Sequence, residues 1–131
     1  MGWDGYPEER MGYAVLLVDD QPDFLRMARL ILATDPAFRV VGTAGTGEEA
    51  LRRLVELQPD VLLIDVHLPG LNGFETARHA LDRWPRLRVV LVSALDDPEY
   101  EALSRSVGAA GFLSKKHLEV SRLRQLLGIP R

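Results

Sequence analysis

The chain has 131 residues, of which 47% are hydrophobic and 27% are charged, and its net charge is −3. This composition is typical of one soluble globular domain, and it argues against electrostatic binding to nucleic acid because no basic excess is present. The absence of cysteine excludes disulfides, thiol catalysis and thiolate zinc sites. No hydrophobic run approaches the roughly 20 residues that span a bilayer, and we see no signal-peptide core, so we expect a cytoplasmic protein without membrane contact.

The first third of the chain contains a leader, a strand and a helix. Residues 1–12 hold three glycines, a proline and several charges without periodicity, and we expect a flexible leader before a single domain of residues 13–131. The run Ala14–Val18 is typical of a buried strand. Asp19 and Asp20 follow it directly. A helix is predicted from Pro22 to about Leu32, since proline is favoured at the first helical position.

The next segment leads to a second acidic position. Phe38–Val41 predicts a short strand, and Thr46 is the expected N-cap of a helix with acidic residues in its first turn. Four aliphatic residues, Val61–Ile64, then predict a strand buried on both faces of a parallel sheet. Asp65 ends this strand before a Pro-Gly turn.

The second half of the chain repeats the alternation of helix and strand. The pattern predicts helices over Phe74–Arg83, Pro98–Val107 and His117–Leu127, and strands over Arg88–Ser93 and Gly111–Ser114. Five strands that alternate with five helices predict an α/β domain, with a parallel sheet, right-handed crossovers and helices on both faces.

Polar residues follow four of the predicted strands. The carboxyl ends of parallel strands share one edge of the sheet, where open α/β sheets bind their ligands. We therefore expect convergence of Asp19, Asp20, Asp65, Ser93 and Lys115. Fourteen of the sixteen basic residues are arginine, and the two lysines are adjacent at 115 and 116. The pattern indicates either that a compact ammonium is needed at positions 115 and 116 or that the two lysines have no special role.

This set of side chains predicts a chemistry. Three close carboxylates repel one another unless a cation lies among them, and oxygen ligands without His or Cys favour Mg²⁺. A metal-bound carboxylate beside an ammonium and a hydroxyl is suited to receive a phosphoryl group.

Several short motifs together resemble the response-regulator receiver domain of bacterial two-component signalling, over residues 14 to about 127. They are Val18-Asp19-Asp20, Asp65 with Leu68-Pro69-Gly70 and Gly73, Val92-Ser93-Ala94, and Gly111-Phe112-Leu113-Ser114-Lys115. The resemblance implies a flavodoxin-like sheet with strand order 2-1-3-4-5.

The resemblance also implies a role for each residue. Asp65 would be the phosphoacceptor, and Asp20 would bind Mg²⁺ directly and Asp19 directly or through water. His67 would offer only its backbone carbonyl to the metal, and its imidazole is expected to face solvent. Ser93 and Lys115 would contact the phosphoryl group. Phe112 is either a plain core aromatic or the residue that turns inward when the Ser93 hydroxyl moves.

The implied function is a switch that phosphorylates and dephosphorylates itself at Asp65, rather than a multiple-turnover enzyme. Its expected partners are a histidine kinase or phosphotransfer protein, and a downstream target or an output domain absent from this chain; a homodimer is also allowed. Few residues follow the last predicted helix, so a stand-alone receiver and part of a longer regulator both remain open. The signal would leave through residues 98–127, where Arg122 and Arg124 are expected to offer exposed charge. Four leucines there (118, 123, 126 and 127) either complete a docking face or only pack the last helix against the sheet.

The sequence departs from many receivers at one position, and three other functions are open to comparison. Many receivers have a cis proline after the lysine, whereas Lys116 stands here, and we expect a trans peptide. Two other classes of protein fit the sequence poorly. A phosphohydrolase with an Asp nucleophile would need a second carboxylate at the position of His67. A flavin- or nucleotide-binding module would need a glycine-rich loop after the first strand, which this sequence lacks. A degenerate receiver that acts only as an interaction module is the stronger alternative.

Overall fold

A computed structural model describes residues 12–130, so nearly all of the expected leader lies outside the described residues. Five parallel strands form one sheet in the order β2-β1-β3-β4-β5. Their bounds are β1 Tyr13–Val18, β2 Phe38–Ala44, β3 Val61–Asp65, β4 Arg88–Ser93 and β5 Gly111–Ser114. This result confirms the predicted fold class and strand order.

Five α-helices and one short 3₁₀ helix connect the strands. The α-helices are α1 Pro22–Ala33, α2 Gly47–Leu57, α3 Gly73–Arg83, α4 Glu99–Ser106 and α5 Val120–Leu127, and the 3₁₀ helix covers Lys115–His117. Within residues 12–130, no helix has both the length and the hydrophobicity required to cross a bilayer.

The strands bury side chains on both faces of the sheet. Along β1, Val15 and Leu17 pack in the cluster that includes α1 and α5, whereas Leu16 and Val18 pack in the cluster that includes α2 and α3. Successive strand residues point to opposite faces, so a fully aliphatic strand is what a two-sided core requires. All five residues of β3, the middle strand, are buried, including Asp65 at its end.

Side-chain caps begin two of the helices, and one of these caps was predicted. Thr46 accepts a hydrogen bond from the backbone N–H of Glu49 at 3.0 Å, as predicted. Asn72 and Glu75 form a reciprocal capping box at the start of α3, with both hydrogen bonds at 2.9 Å. These caps satisfy backbone N–H groups that would otherwise lack partners in the first turn.

The last helix begins later than predicted, at Val120 instead of His117. Leu118 and Glu119 have extended backbone conformations, with ψ of 109° and 147°. Leu118 is only 5% exposed and belongs to the core. The helix begins only at Val120 because the extended conformation of the two preceding residues places the Leu118 side chain in the core.

The leucines of the last segment belong to the core. Leu123 and Leu127 are each 2% exposed, and Leu126 is partly buried against the same cluster as Leu118. They seat α5 on the sheet, so the docking-face interpretation of these leucines is wrong. Arg124, one of the two arginines named in that interpretation, forms an ion pair with Asp35.

Asp35 and Arg124 form a two-pronged ion pair between the turn before β2 and α5. Arg124 Nε donates to Asp35 Oδ2 at 2.6 Å, and Nη2 donates to Oδ1 at 2.8 Å. Asp35 also accepts from the backbone N–H of Ala37 at 2.9 Å. The hydrogen bonds from Arg124 outweigh the opposing effect of burial and lower the pKa of Asp35. This pair ties the last helix to the second strand.

The lowered pKa predicts a pH-dependent contribution to stability. A carboxyl with a lowered pKa in the folded state stabilises the fold fully above its unfolded pKa, about 3.9, and loses this effect as the pH falls through the folded pKa. Asp35→Asn should lower the free energy of unfolding by about 2 kcal/mol at pH 7, and the difference from wild type should shrink below about pH 4. Urea denaturation across this range measures both effects.

The control is Asp23→Asn, which removes an ion pair with Arg26 whose side chains are 91% and 71% exposed. Such a pair contributes less than about 1 kcal/mol, so this variant should behave almost like the wild type. An equal loss in both variants, or a loss for Asp35→Asn that does not depend on pH, would contradict the assignment.

Candidate functional site

The predicted polar residues lie at the carboxyl edge of the sheet. Asp19 and Asp20 follow β1, while Asp65 and Ser93 are the last residues of β3 and β4. Lys115 follows β5 directly and begins the 3₁₀ helix. Asp65 pairs with Val92, the residue before Ser93, so the two strand ends are adjacent.

Three carboxylates form the centre of the site. One oxygen from each of Asp19, Asp20 and Asp65 lies within 4.8 Å of the other two. Asp19 and Asp65 are buried, and Asp20 is exposed to solvent. Like charges at this separation repel strongly when water is partly excluded. The arrangement therefore concentrates negative charge that needs a positive partner.

Lys115 supplies part of that positive charge. Its Nζ lies 2.6 Å from Asp19 Oδ2 and 3.4 Å from Asp65 Oδ2. The same ammonium lies 4.3 Å from the centre of the Phe24 ring, which is a favourable cation–π distance. Phe24 was predicted only as a helix residue, and its contact with the lysine was not foreseen.

The two oxygens of Asp19 have different partners. Oδ1 accepts from the backbone N–H of Gln21 at 2.8 Å. Oδ2 is close enough to Lys115 for an ion pair, but the angles of that contact do not make a hydrogen bond, and Oδ2 has no hydrogen-bond partner within the described chain. A buried carboxylate oxygen without a hydrogen bond is unusual. Because every side-chain donor of the cluster is a carboxylate oxygen, the residues fit a hard divalent cation such as Mg²⁺.

The pKa of Asp65 is raised above its ordinary value, chiefly because the carboxyl is buried. The nearby charge of Asp19 acts in the same direction. The backbone N–H of His67, which donates to Asp65 Oδ1 at 3.2 Å, and the Lys115 ammonium oppose this effect. A cation among the three acids would favour the ionised form of Asp65.

Gly73 allows the start of α3 to pack against the end of β3. A Cβ atom on Gly73 would lie 2.2 Å from the backbone oxygen of Asp65, which no side chain can tolerate. The backbone N–H of Gly73 donates to the carbonyl of Val66 at 2.8 Å. The glycine of the sequence motif is therefore required by a close approach of two backbones next to Asp65.

His67 is exposed, as predicted, but its imidazole has a partner that the sequence did not suggest. Its Nε2 lies 2.9 Å from the hydroxyl of Tyr100. The ring of Tyr100 also contacts Phe112, with centroids 5.5 Å apart and planes at 67°. Phe112 is partly buried within this aromatic group.

Ser93 and the Lys115–Lys116 bond complete the predicted set. The Ser93 side chain is fully buried, and its Oγ accepts from the backbone N–H of Leu95 at 3.0 Å. No cis peptide bond occurs among residues 12–130, so the bond between Lys115 and Lys116 is trans.

A cavity of about 690 Å³ lies far from these residues, near the amino ends of the strands. Its walls include Tyr13 at the start of β1, Asp60 before β3 and Arg88 at the start of β4. None of the predicted site residues lines it. The candidate site is therefore separate from this cavity.

Comparison with known sequences gives one family. The family described as "Response regulator receiver domain" matches residues 15–127. Two similar curated proteins are a protein-glutamate methylesterase/protein-glutamine glutaminase of Syntrophus aciditrophicus, 40% identical over 103 residues, and the response regulator GacA of Pseudomonas viridiflava, 39% identical over 102 residues. The matches cover 77% of this chain in both cases, and 29% and 47% of the relatives. The chain thus spans less than half the length of these relatives.

Solved structures show the same architecture. The signal receiver domain of the response regulator NarL from Mycobacterium tuberculosis aligns with a TM-score of 0.79 and 32% identity, covering 91% of this chain and 96% of that one. The response regulator domain of Thermotoga maritima CheB aligns with a TM-score of 0.77 and 30% identity, covering 92% and 99%. Both similarities extend over almost the whole described chain.

The acidic cluster predicts the effect of removing one charge. Asp20→Asn should weaken Mg²⁺ binding by about tenfold or more, because it removes one of the three charged groups of the cluster. Without a divalent cation, its thermal midpoint should equal or exceed that of the wild type, because repulsion within the cluster falls. Calorimetric titration with Mg²⁺ and thermal unfolding in a chelator measure the two effects.

The matched control is Asp96→Asn, which removes an exposed acid from the loop after β4. This variant should bind Mg²⁺ like the wild type. If Asp20→Asn also kept the wild-type affinity, Asp20 would not be a direct ligand.

Proposed function

Because this chain belongs to the response regulator receiver domain family, we propose that it is a phosphorylation-dependent signalling switch with Asp65 as its phosphoacceptor. The observation that carries this proposal is the position of Asp65, a buried carboxylate at the end of the middle strand that lies next to Lys115 and two further acids. Such a carboxylate can act as a nucleophile when the charge around it is balanced.

The reaction is the transfer of a phosphoryl group to Asp65. A carboxylate oxygen attacks phosphorus, the bond between phosphorus and the leaving group of the donor breaks, and an acyl phosphate forms. Attack of water on that phosphorus later releases inorganic phosphate and restores the carboxylate. The chain is a reactant in this cycle, so its role is that of a switch and not of a multiple-turnover enzyme.

The proposed metal ligands are the carboxylates of Asp19, Asp20 and Asp65 and the backbone carbonyl of His67. A bound Mg²⁺ would supply positive charge for the phosphoryl oxygens and for the three acids. The buried Oδ2 of Asp19 supports this assignment, since it is an anionic oxygen that contacts the Lys115 ammonium at 2.6 Å and accepts no hydrogen bond within the described chain.

Lys115 is proposed to bind the phosphoryl group. Its ammonium is 3.4 Å from the Asp65 oxygen, so an oxygen of a phosphoryl group attached there would lie within reach. Charge neutralisation by a fixed ammonium stabilises both the transition state and the acyl phosphate. The contact with Phe24 supports the role because it limits where the ammonium can move.

Ser93 and Phe112 are proposed to carry the signal to the surface. The Ser93 hydroxyl would turn to donate to a phosphoryl oxygen, and Phe112 would move into the space that this turn opens. The expected output surface is the exposed part of residues 98–127, above all α4. Of the two arginines expected there, Arg122 is exposed and only loosely paired with Glu119 at 3.9 Å.

The proposed phosphodonor is a histidine kinase or a phosphotransfer protein, and the proposed receiver of the signal is a downstream protein or an output domain. A homodimer is a further candidate form of the active state. In the alternative function, the chain is a degenerate receiver that binds partners without phosphorylation. The complete set of acids, hydroxyl and lysine favours the switch over this alternative.

The chemical prediction is a single phosphorylation at Asp65. Wild-type protein incubated with acetyl phosphate and Mg²⁺ should gain one phosphoryl group, because the donor needs no partner protein. Asp65→Asn should gain none, since an amide is not a nucleophile of this kind. Intact mass spectrometry measures the gain directly.

Asp82→Asn, an exposed acid on α3, serves as the control and should be labelled like the wild type. Equal labelling of Asp65→Asn and wild type would refute the assignment of Asp65. A wild type that remains unlabelled would favour the degenerate receiver.

The signalling prediction concerns the Ser93 hydroxyl. Ser93→Ala should still be phosphorylated at Asp65, but it should transmit less of the change because it lacks the group that contacts the phosphate. Hydrogen exchange of residues 98–127, with and without phosphorylation, should therefore change less in Ser93→Ala than in the wild type. Equal changes in both proteins would show that Ser93 does not couple the site to this surface.

A further inference from the structure

Tyr100 connects four elements through one side chain. It is the second residue of α4, and its hydroxyl lies 2.9 Å from Nε2 of His67, in the loop after β3. Its ring centre is 5.8 Å from that of His67, 5.7 Å from Phe74 at the start of α3 and 5.5 Å from Phe112 on β5. The interplanar angles of 58° to 67° are typical of edge contacts between aromatic rings. These four contacts fix the position of the side chain.

Helix α4 has few other attachments to the domain. Ser104 is its only buried residue, and the Ser104 hydroxyl has no hydrogen-bond partner within residues 12–130. Leu103, which could have anchored the helix, is 42% exposed. A helix is stabilised mainly by the face that it buries. The first turn of α4 therefore depends largely on Tyr100 for its position.

His67 makes contact in two directions. Its backbone N–H donates to Asp65 Oδ1 at 3.2 Å, while its imidazole meets the hydroxyl of Tyr100. In the proposed function, the carbonyl of the same residue is a metal ligand. One residue thus links the carboxylate and metal position to α4.

We infer that Tyr100 is a positioning residue of the metal and phosphoryl site. Its hydroxyl holds the imidazole of His67, and this contact aligns the His67 backbone with Asp65 and with the cation. The inference rests on the proposed function, which supplies the role of the His67 carbonyl. It adds a second connection between the site and α4 that does not pass through Ser93.

Two consequences follow for binding. A contact that holds the His67 carbonyl in place before the cation binds raises the affinity for the cation, because less conformational entropy is lost on binding. By thermodynamic reciprocity, a cation that binds this arrangement also stabilises the position of α4, and a partner that moves α4 changes the affinity of the site. Loss of the contact between Tyr100 and His67 should cost about as much as one hydrogen bond, which corresponds to a change of about two- to tenfold in the Mg²⁺ dissociation constant.

The experiment compares Tyr100→Phe, His67→Ala and the double variant with the wild type, all as the full chain. Tyr100→Phe keeps the ring and removes only the hydroxyl, so the aromatic contacts remain. Mg²⁺ alone is the probe, and calorimetry gives its dissociation constant. Each single variant should bind about two- to tenfold more weakly, and the double variant should bind no more weakly than the weaker single variant, because both substitutions break the same contact.

A second measurement follows α4 without any cation. Hydrogen exchange of residues 99–106 should be faster in Tyr100→Phe than in the wild type. The matched control is Ser106→Ala, which removes a hydroxyl from the same helix whose partner is the Leu103 carbonyl in that helix. This variant should match the wild type in Mg²⁺ affinity and in exchange of the first turn.

The outcomes separate the inference from the proposed function. Unchanged or tighter Mg²⁺ binding by Tyr100→Phe, additive losses in the double variant, or wild-type exchange of the first turn would each overturn the positioning role alone. A wild type that binds no Mg²⁺ would contradict the proposed function and the positioning role together.

Discussion

The burial of the Asp65 carboxylate at the end of the middle strand is the constraint on which the rest of the site depends. A carboxylate that is 5% exposed and lies near two other acids is unfavourable in its ionised form, and its pKa is raised accordingly. The chain compensates only in part, with one ammonium and one backbone N–H. What remains is an excess of negative charge that a divalent cation can relieve. The domain thus tolerates local instability where its proposed chemistry takes place.

The strand order determines how the charges meet. Strands β1 and β3 are neighbours in the centre of the sheet, so Asp19 and Asp65 come together although they are 46 positions apart in the sequence. Lys115 comes from the edge strand β5, two positions away from β3, and must extend across the end of β4. A long, flexible stem with a compact charge is suited to that distance. Phe24, at the start of α1, adds a third contact to this ammonium, which lies 4.3 Å from the centre of its ring.

The helices next to the site differ in how they are attached. Helix α5 is seated by buried leucines and by the ion pair between Arg124 and Asp35. Helix α4 buries one serine and relies on the aromatic contacts of Tyr100. A change at the site would therefore shift α4 at a lower free-energy cost than α5. This difference makes α4 the natural place for the signal of the proposed switch to reach the surface.

The sequence by itself determined the elements and the residues at the strand ends. Runs such as Val61–Ile64 specify buried strands, and the polar residues at the ends of four of the five strands mark the edge where the site lies. The order of the strands followed from resemblance to a family and not from the residue pattern, because a hydrophobic run does not encode its neighbours. Capping at Thr46 was predictable because its partner is three residues away.

Only the tertiary structure decided which distant side chains meet. The pair of Asp35 and Arg124 joins residues 89 apart, and the contact between His67 and Tyr100 joins residues 33 apart. The late start of α5 also depends on packing, because burial of Leu118 prevails over a local pattern that would begin the helix at His117. Local sequence sets the conformational preferences of short segments, whereas such contacts arise from the way complete helices and strands pack against one another.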